Sequence, residues 1–192
     1  MEPLDDSIIR HQVIENYAQW CAFSATRSGC PLKSRTDVYP LIKLPNYDQI
    51  LIGDREIDET EFDSWHKESC IAIGNEREIG IGWAAKLINV YLKTISYTGM
   101  IGRPGLITCL HPPIDNGLIQ GIRNKYRGQN EILQSLKSFS TIKEIKEYAD
   151  YIKLIKACKA ICRIEGWSLM EIESLWEGTM IKSVNTLPKQ IL

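Results

Sequence analysis

Apolar side chains recur at three- and four-residue intervals along most of this chain, and no two alternating runs are joined by a hairpin turn. That spacing commits the backbone to helices, because a helix returns to one face about every 3.6 residues whereas a strand does so at every second residue. From Asp5 to Arg27 the recurring positions are Ile9, Val13, Tyr17 and Trp20/Cys21, with Gly29 and Pro31 stopping the helix. Thr60 reads as the N-cap of a second helix carrying Phe62, Trp65, Cys70 and Ile73. A turn over Gly74 to Gly82 precedes a third, Trp83 to about Tyr97, which ends at Gly99. Pro112 and Pro113 stand before a run from Ile114 to Arg123, where missing N–H groups suit a helix start.

Two capping boxes organise the last third. Thr141-x-x-Glu144 predicts a long helix to about Glu165, with Ile142, Ile145, Tyr148, Ile152, Ile155 and Cys162 on one stripe and Gly166 as its stop. Ser168-x-x-Glu171 predicts another, carrying Leu169, Ile172, Leu175, Trp176 and Met180. Residues 30–57 contain Pro31, Pro40 and Pro45 and read as an irregular connection with a short extended piece, Ile50 to Ile52. The expectation is an all-α, compact multi-helix fold, residues 1–192 forming a single helical domain with a loose tail over 184–192.

Composition bounds the functional classes. Apolar residues make up 44% and charged residues 24% of 192 positions, enough to build a core and to exclude disorder as the main state. No apolar run approaches the roughly 18 residues of a membrane span, and Glu2, Asp5 and Asp6 crowd an N-terminus without a cleavable apolar stretch. The expected location is therefore cytoplasmic, with no membrane partner. The 6 cysteines are expected as reduced thiols. Cys158 and Cys162 lie one helical turn apart, but no CxxC pair and no His at ligand spacing accompanies them, so neither metal nor cofactor is expected.

Net charge is −1, yet its distribution is uneven. Asp54, Glu56, Asp58, Glu59, Glu61, Asp63, Glu68, Glu76 and Glu78 outnumber Arg55, Lys67 and Arg77, after which Lys86, Lys93, Arg103, Arg123, Lys125 and Arg127 face a single acid, Asp115. Either the basic stretch presents an anion-binding surface or the two stretches fold together and neutralise each other.

Chemistry concentrates between residues 79 and 123. On the helix from Trp83, the polar residues Lys86, Asn89 and Lys93 form a stripe apart from the apolar side, either a solvated face or a site for phosphate or a reactive amine. His111-Pro-Pro-Ile-Asp115 holds an imidazole and a carboxyl at a fixed separation beside a helix entrance, where the helix dipole keeps a carboxylate ionised. Ile79-Gly80-Ile81-Gly82 is either a plain tight turn or a set of backbone N–H groups facing an anion. His11 and His66 read as ordinary helix residues.

Taken together, a helix, the Ile-Gly-Ile-Gly turn, a second helix bearing Lys86 and a proline-containing approach to Asp115 resemble the core of the helix-hairpin-helix DNA glycosylases, in particular the 8-oxoguanine glycosylase/lyase group. The resemblance implies a base-excision glycosylase and abasic-site lyase acting on DNA with a modified or damaged base. Lys86 would be the nucleophilic amine, Asp115 the carboxylate facing the sugar cation, and Gly80 and Gly82 the hairpin glycines at the DNA backbone. His111 joins them as a further catalytic candidate. Asn89, Lys93, Arg103, Arg123 and Arg127 would contact nucleic acid, and Trp65, Trp83 or Tyr97 would stack on the base. The chain departs from the family pattern in having Glu78-Ile79 where a proline is usual, in a later lysine, and in a longer interval to the aspartate, which leaves Lys93 as an alternative amine. The competing expectation is a non-enzymatic helical interaction or regulatory protein; a metal-free nuclease using His111 lacks a second histidine at useful spacing.

Overall fold

A computed structural model of the chain describes residues 6–26, 29–134, 136 and 141–176. The described residues are helical or irregular, with no strand among them, so the fold is all-α. The order is α1 (Asp6–Ser24), α2 (Arg35–Ile42), α3 (Asp48–Leu51), α4 (Glu59–Glu76), α5 (Gly80–Leu92), α6 (Leu106–Cys109), α7 (Asn116–Lys125), α8 (Asn130–Gln134) and α9 (Tyr148–Glu165). A π turn, Lys93–Thr98, prolongs α5 up to Gly99, and a 3-10 segment, Leu169–Leu175, follows α9.

α5 is the central element. Ile81, Trp83, Ala84, Ala85, Leu87, Ile88, Tyr91 and Leu92 are all buried along it, and a helix buried on so many sides must be enclosed by others. α4 supplies Phe62, Trp65, Cys70 and Ile73 against it, and α9 supplies Tyr151, Leu154, Ile155, Cys158 and Ile161 to the same continuous core. α1 approaches through Ala18 and Ala22, small side chains that let two helix backbones come close. No helix among the described residues is long and apolar enough to cross a membrane. The 6 cysteines are free, and all but Cys21 are buried.

Several expectations are corrected. The connection 30–57 is largely helical: Ser34 and Asp37 form a capping box that starts α2, which accommodates Pro40, and Ile50 is a buried residue of α3 instead of part of an extended piece. α4 starts two residues earlier than expected, because Asp58, and not Thr60, accepts the Glu61 N–H at 2.8 Å. The Thr141 box exists but opens only a 3-10 turn, Ile142–Glu144; Ile145 is extended, and α9 begins at Tyr148. On α1 the stripe Ile9, Val13, Tyr17 and Trp20 faces outward, since the alanine side took the core. Met180 and the tail 184–192 lie outside the described residues.

Candidate functional site

Lys86 and Asp115 are brought together by two helix starts. The chain reverses between α4 and α5 through Glu78 and Gly80, both with positive φ (52° and 76°), a conformation natural to glycine. α5 then runs with Lys86 in its second turn. Asp115 is the N-cap of α7: its Oδ1 accepts the Leu118 N–H at 3.0 Å, which fixes the side chain at the mouth of that helix. The Lys86 Nζ stands 3.3 Å from Asp115 Oδ2, with the side chains 13% and 19% exposed. The same ammonium lies 5.5 Å from the centroid of the Trp83 ring.

This pair lines a cavity of about 680 Å³. Its other walls include Trp176, Lys93, Glu173, Asn116 and Lys143, together with Pro113 and Gly117. Trp176 lies so close to Gly117 that a Cβ there would stand 2.3 Å from the indole Nε1. Lys93 is ion-paired with Glu173 across the cavity wall. Burial pushes the Glu173 carboxyl up, Lys93 pulls it back, and the neighbouring charge of Asp115 adds to the rise. The result is a partly apolar chamber holding alternating amines and carboxyls, a setting suited to proton transfer between ionisable groups and to stacking of a flat ligand.

Other candidates sit elsewhere. His111 is 1% exposed and faces the core. Its Nδ1 is 3.1 Å from the Tyr151 hydroxyl and its Nε2 is 3.0 Å from Asp63 Oδ1, though neither Nε2 nor that oxygen has a well-aligned hydrogen bond. Burial lowers the His111 pKa, opposed by Asp63. Burial alone would raise Asp63, but the close approach of His111, with the charges of Lys159 and His66 adding to it, outweighs this and lowers it. His111 is thus a core residue and not a third catalytic group in the cavity. Asn89 belongs to the same buried network. Arg103, expected on the surface, is 7% exposed: it donates to the carbonyls of Arg55 (2.9 Å) and Gln49 (2.6 Å) and pairs with Glu61 at 2.6 Å, pinning the 49–61 region. Trp65 is buried, its Nε1 donating to the Asn46 carbonyl at 2.9 Å, so it does not reach the cavity as a stacking partner.

Of the two hairpin glycines, Gly80 supplies the left-handed turn and Gly82 serves packing. Gly82 donates its N–H to the Ile145 carbonyl at 3.1 Å, and a Cβ there would meet the Ile142 oxygen at 2.0 Å. Arg123 donates to the Leu136 carbonyl at 2.7 Å. Arg127 and Tyr97 are exposed, and Trp83 is buried with an edge on the cavity.

Sequence reasoning missed Glu173, Trp176, Asn116 and Lys143 as cavity residues, and His66 as a buried polar group. An Asn-Gly pair immediately after Asp115 and an indole three residues beyond Glu173 are the local signals, but neither says that α7 and the 169–175 segment meet. Among the described residues no group of three or more His, Cys, Asp or Glu is arranged to hold a metal ion. No family model, no curated protein and no solved structure matches this chain.

Proposed function

We propose that the chain is a DNA base-excision glycosylase and abasic-site lyase, working on an extruded nucleotide in the cytoplasm where it is made. The observation that carries the reading is the Lys86–Asp115 pair, 3.3 Å apart and shielded in the wall of a cavity large enough for a nucleoside. In this reading Asp115 takes a proton from the Lys86 ammonium, and the freed lone pair attacks C1′ of the sugar. The C1′–N bond to the base breaks, its electron pair leaving with the base, which takes up the proton that Asp115 received from Lys86. Asp115, a carboxylate again once that proton has gone, faces the positive charge left on the sugar and its new bond to Lys86. Opening of the sugar ring gives an iminium between Lys86 and C1′. Loss of a 2′ proton then expels the 3′ phosphate and cuts the strand.

The test uses oligonucleotides carrying oxidised, deaminated or abasic positions, with borohydride added to reduce the iminium to a stable secondary amine. The wild-type protein forms a covalent adduct, and Lys86→Ala loses it. An adduct that survives Lys86→Ala but disappears in Lys93→Ala moves the amine to Lys93. No adduct and no strand cleavage across the panel removes the reading. A second reading, a helical interaction protein, draws on one observation: Ile8, Ile9, Val13, Tyr17 and Trp20 of α1 are all at least 41% exposed.

A further inference from the structure

A primary amide inside an apolar helix is costly to bury unless its donors and acceptor are used. Asn89 is 1% exposed, one helical turn beyond Lys86 on α5. Its Nδ2 donates to the Pro112 carbonyl at 3.1 Å and to the Tyr151 hydroxyl at 2.9 Å, and its Oδ1 lies 2.9 Å from His66 Nε2. Because Oδ1 can only accept, His66 carries its proton on Nε2. Tyr151, having accepted from Asn89, directs its own proton to His111 Nδ1, which turns the His111 Nε2–H toward Asp63. The amide is thereby held in one orientation from every side.

The Pro112 bond is the one that matters for the cavity. From that pinned carbonyl the chain passes through Pro113, whose ring fixes φ, and the buried Ile114 to Asp115. Lys86 is fixed to Asn89 by helix geometry. A single hydrogen bond therefore closes a frame in which one arm ends in the amine and the other in the carboxylate. We infer that Asn89 is the positioning residue of this site, setting the distance between Lys86 and Asp115; its catalytic consequence rests on the lyase reading.

The experiment compares Asn89→Leu, which fills the space but cannot donate to Pro112, with Asp115→Asn and with Leu154→Ala, a core truncation that removes no hydrogen-bonding group. Lys86 acylation by acetic anhydride, quantified by mass spectrometry against Lys153 in the same sample, reports the pair without any nucleic acid. Asn89→Leu is expected to change the Lys86 labelling rate by the same factor as Asp115→Asn, whereas Leu154→Ala leaves it at the wild-type value. On an abasic oligonucleotide Asn89→Leu is expected to lose about a hundredfold in kcat with KM little changed, as misplacement by about 1 Å can cause. A folded Asn89→Leu protein whose Lys86 labels like wild type overturns the inference. Absence of any wild-type adduct overturns the lyase reading instead, and the labelling still decides whether Asn89 sets the pair.

Discussion

His66 and His111 pack with their ring centroids 5.0 Å apart, and both are closed off from solvent. Burial, with the neighbouring His111 adding to it, pushes His66 down to about 3. His111 is lowered in the same direction. A base whose folded value lies below its unfolded value binds fewer protons in the native state, so stability rises with pH between the two values. The contribution is complete above about 6.5 and is lost progressively as pH falls toward 3. Asp63, held below its ordinary value, acts in the same direction but only under about pH 3.8. Between pH 6.5 and 5 the histidines contribute a slope of up to about 1.4 kcal/mol per pH unit each, and the raised Glu173 carboxyl works in the opposite direction. Urea unfolding across that window should show the fall in wild type and a shallower slope in His66→Gln; equal slopes would dismiss the neutral buried imidazole at position 66.

At the scale of elements, two glycines let helices meet backbone to backbone. A Cβ on Gly82 of α5 would reach the Ile142 oxygen at 2.0 Å, and one on Gly121 of α7 would reach the Leu175 oxygen at 1.7 Å. Both obstacles are backbone, so the elements must separate, and Gly82→Ala and Gly121→Ala should each cost about 1–3 kcal/mol or more. Gly74 of α4 is the control: a Cβ there meets nothing nearer than 3.6 Å, so Gly74→Ala should be neutral or stabilising by up to about 1 kcal/mol in the same thermal or urea titration. These contacts also explain what could be read beforehand. Helix ends written in local chemistry were legible, as at Gly99, Gly166 and the Asp115 N-cap, whereas the Ser168 box opens a 3-10 stretch that ends at Leu175 in place of the longer helix expected. The break after Thr141 was not legible, because Ile145 is held extended where its carbonyl receives Gly82, more than sixty positions earlier in the chain. Asn89 was misplaced on a polar stripe for the same reason, since its partners Pro112 and Tyr151 come from other elements.

Across the whole molecule, most of the basic run between residues 80 and 130 is spent internally. Lys86 pairs with Asp115, Lys93 with Glu173, Arg103 with Glu61, and Lys125 with Glu165 at 3.0 Å while lying 4.3 Å from the Trp167 ring centroid. The acidic and basic stretches thus meet partly through Arg103 and Glu61, and the rest of the basic run finds partners in α7, α9 and the segment after it. On the proposed lyase reading this run leaves few cations for phosphate, and among the described residues Arg127, exposed, and Lys143, exposed and in the cavity wall, are two suited to it. Counterion release makes the consequence measurable, because each phosphate contact contributes about 0.9 to the slope of log affinity against log salt on duplex DNA. Fluorescence anisotropy with a labelled duplex carrying an abasic analogue should therefore give a shallow slope. Arg127→Ala and Lys143→Ala should each reduce it by up to about 0.9 without loss of stability. Arg103→Met should do the reverse, leaving the slope unchanged while destabilising the fold on the order of 2 kcal/mol, because Glu61 and the carbonyls of Gln49 and Arg55 lose their donor. A slope that falls in Arg103→Met and not in Arg127→Ala would place the phosphate contacts on the α3–α4 side of the molecule, away from the Lys86 cavity.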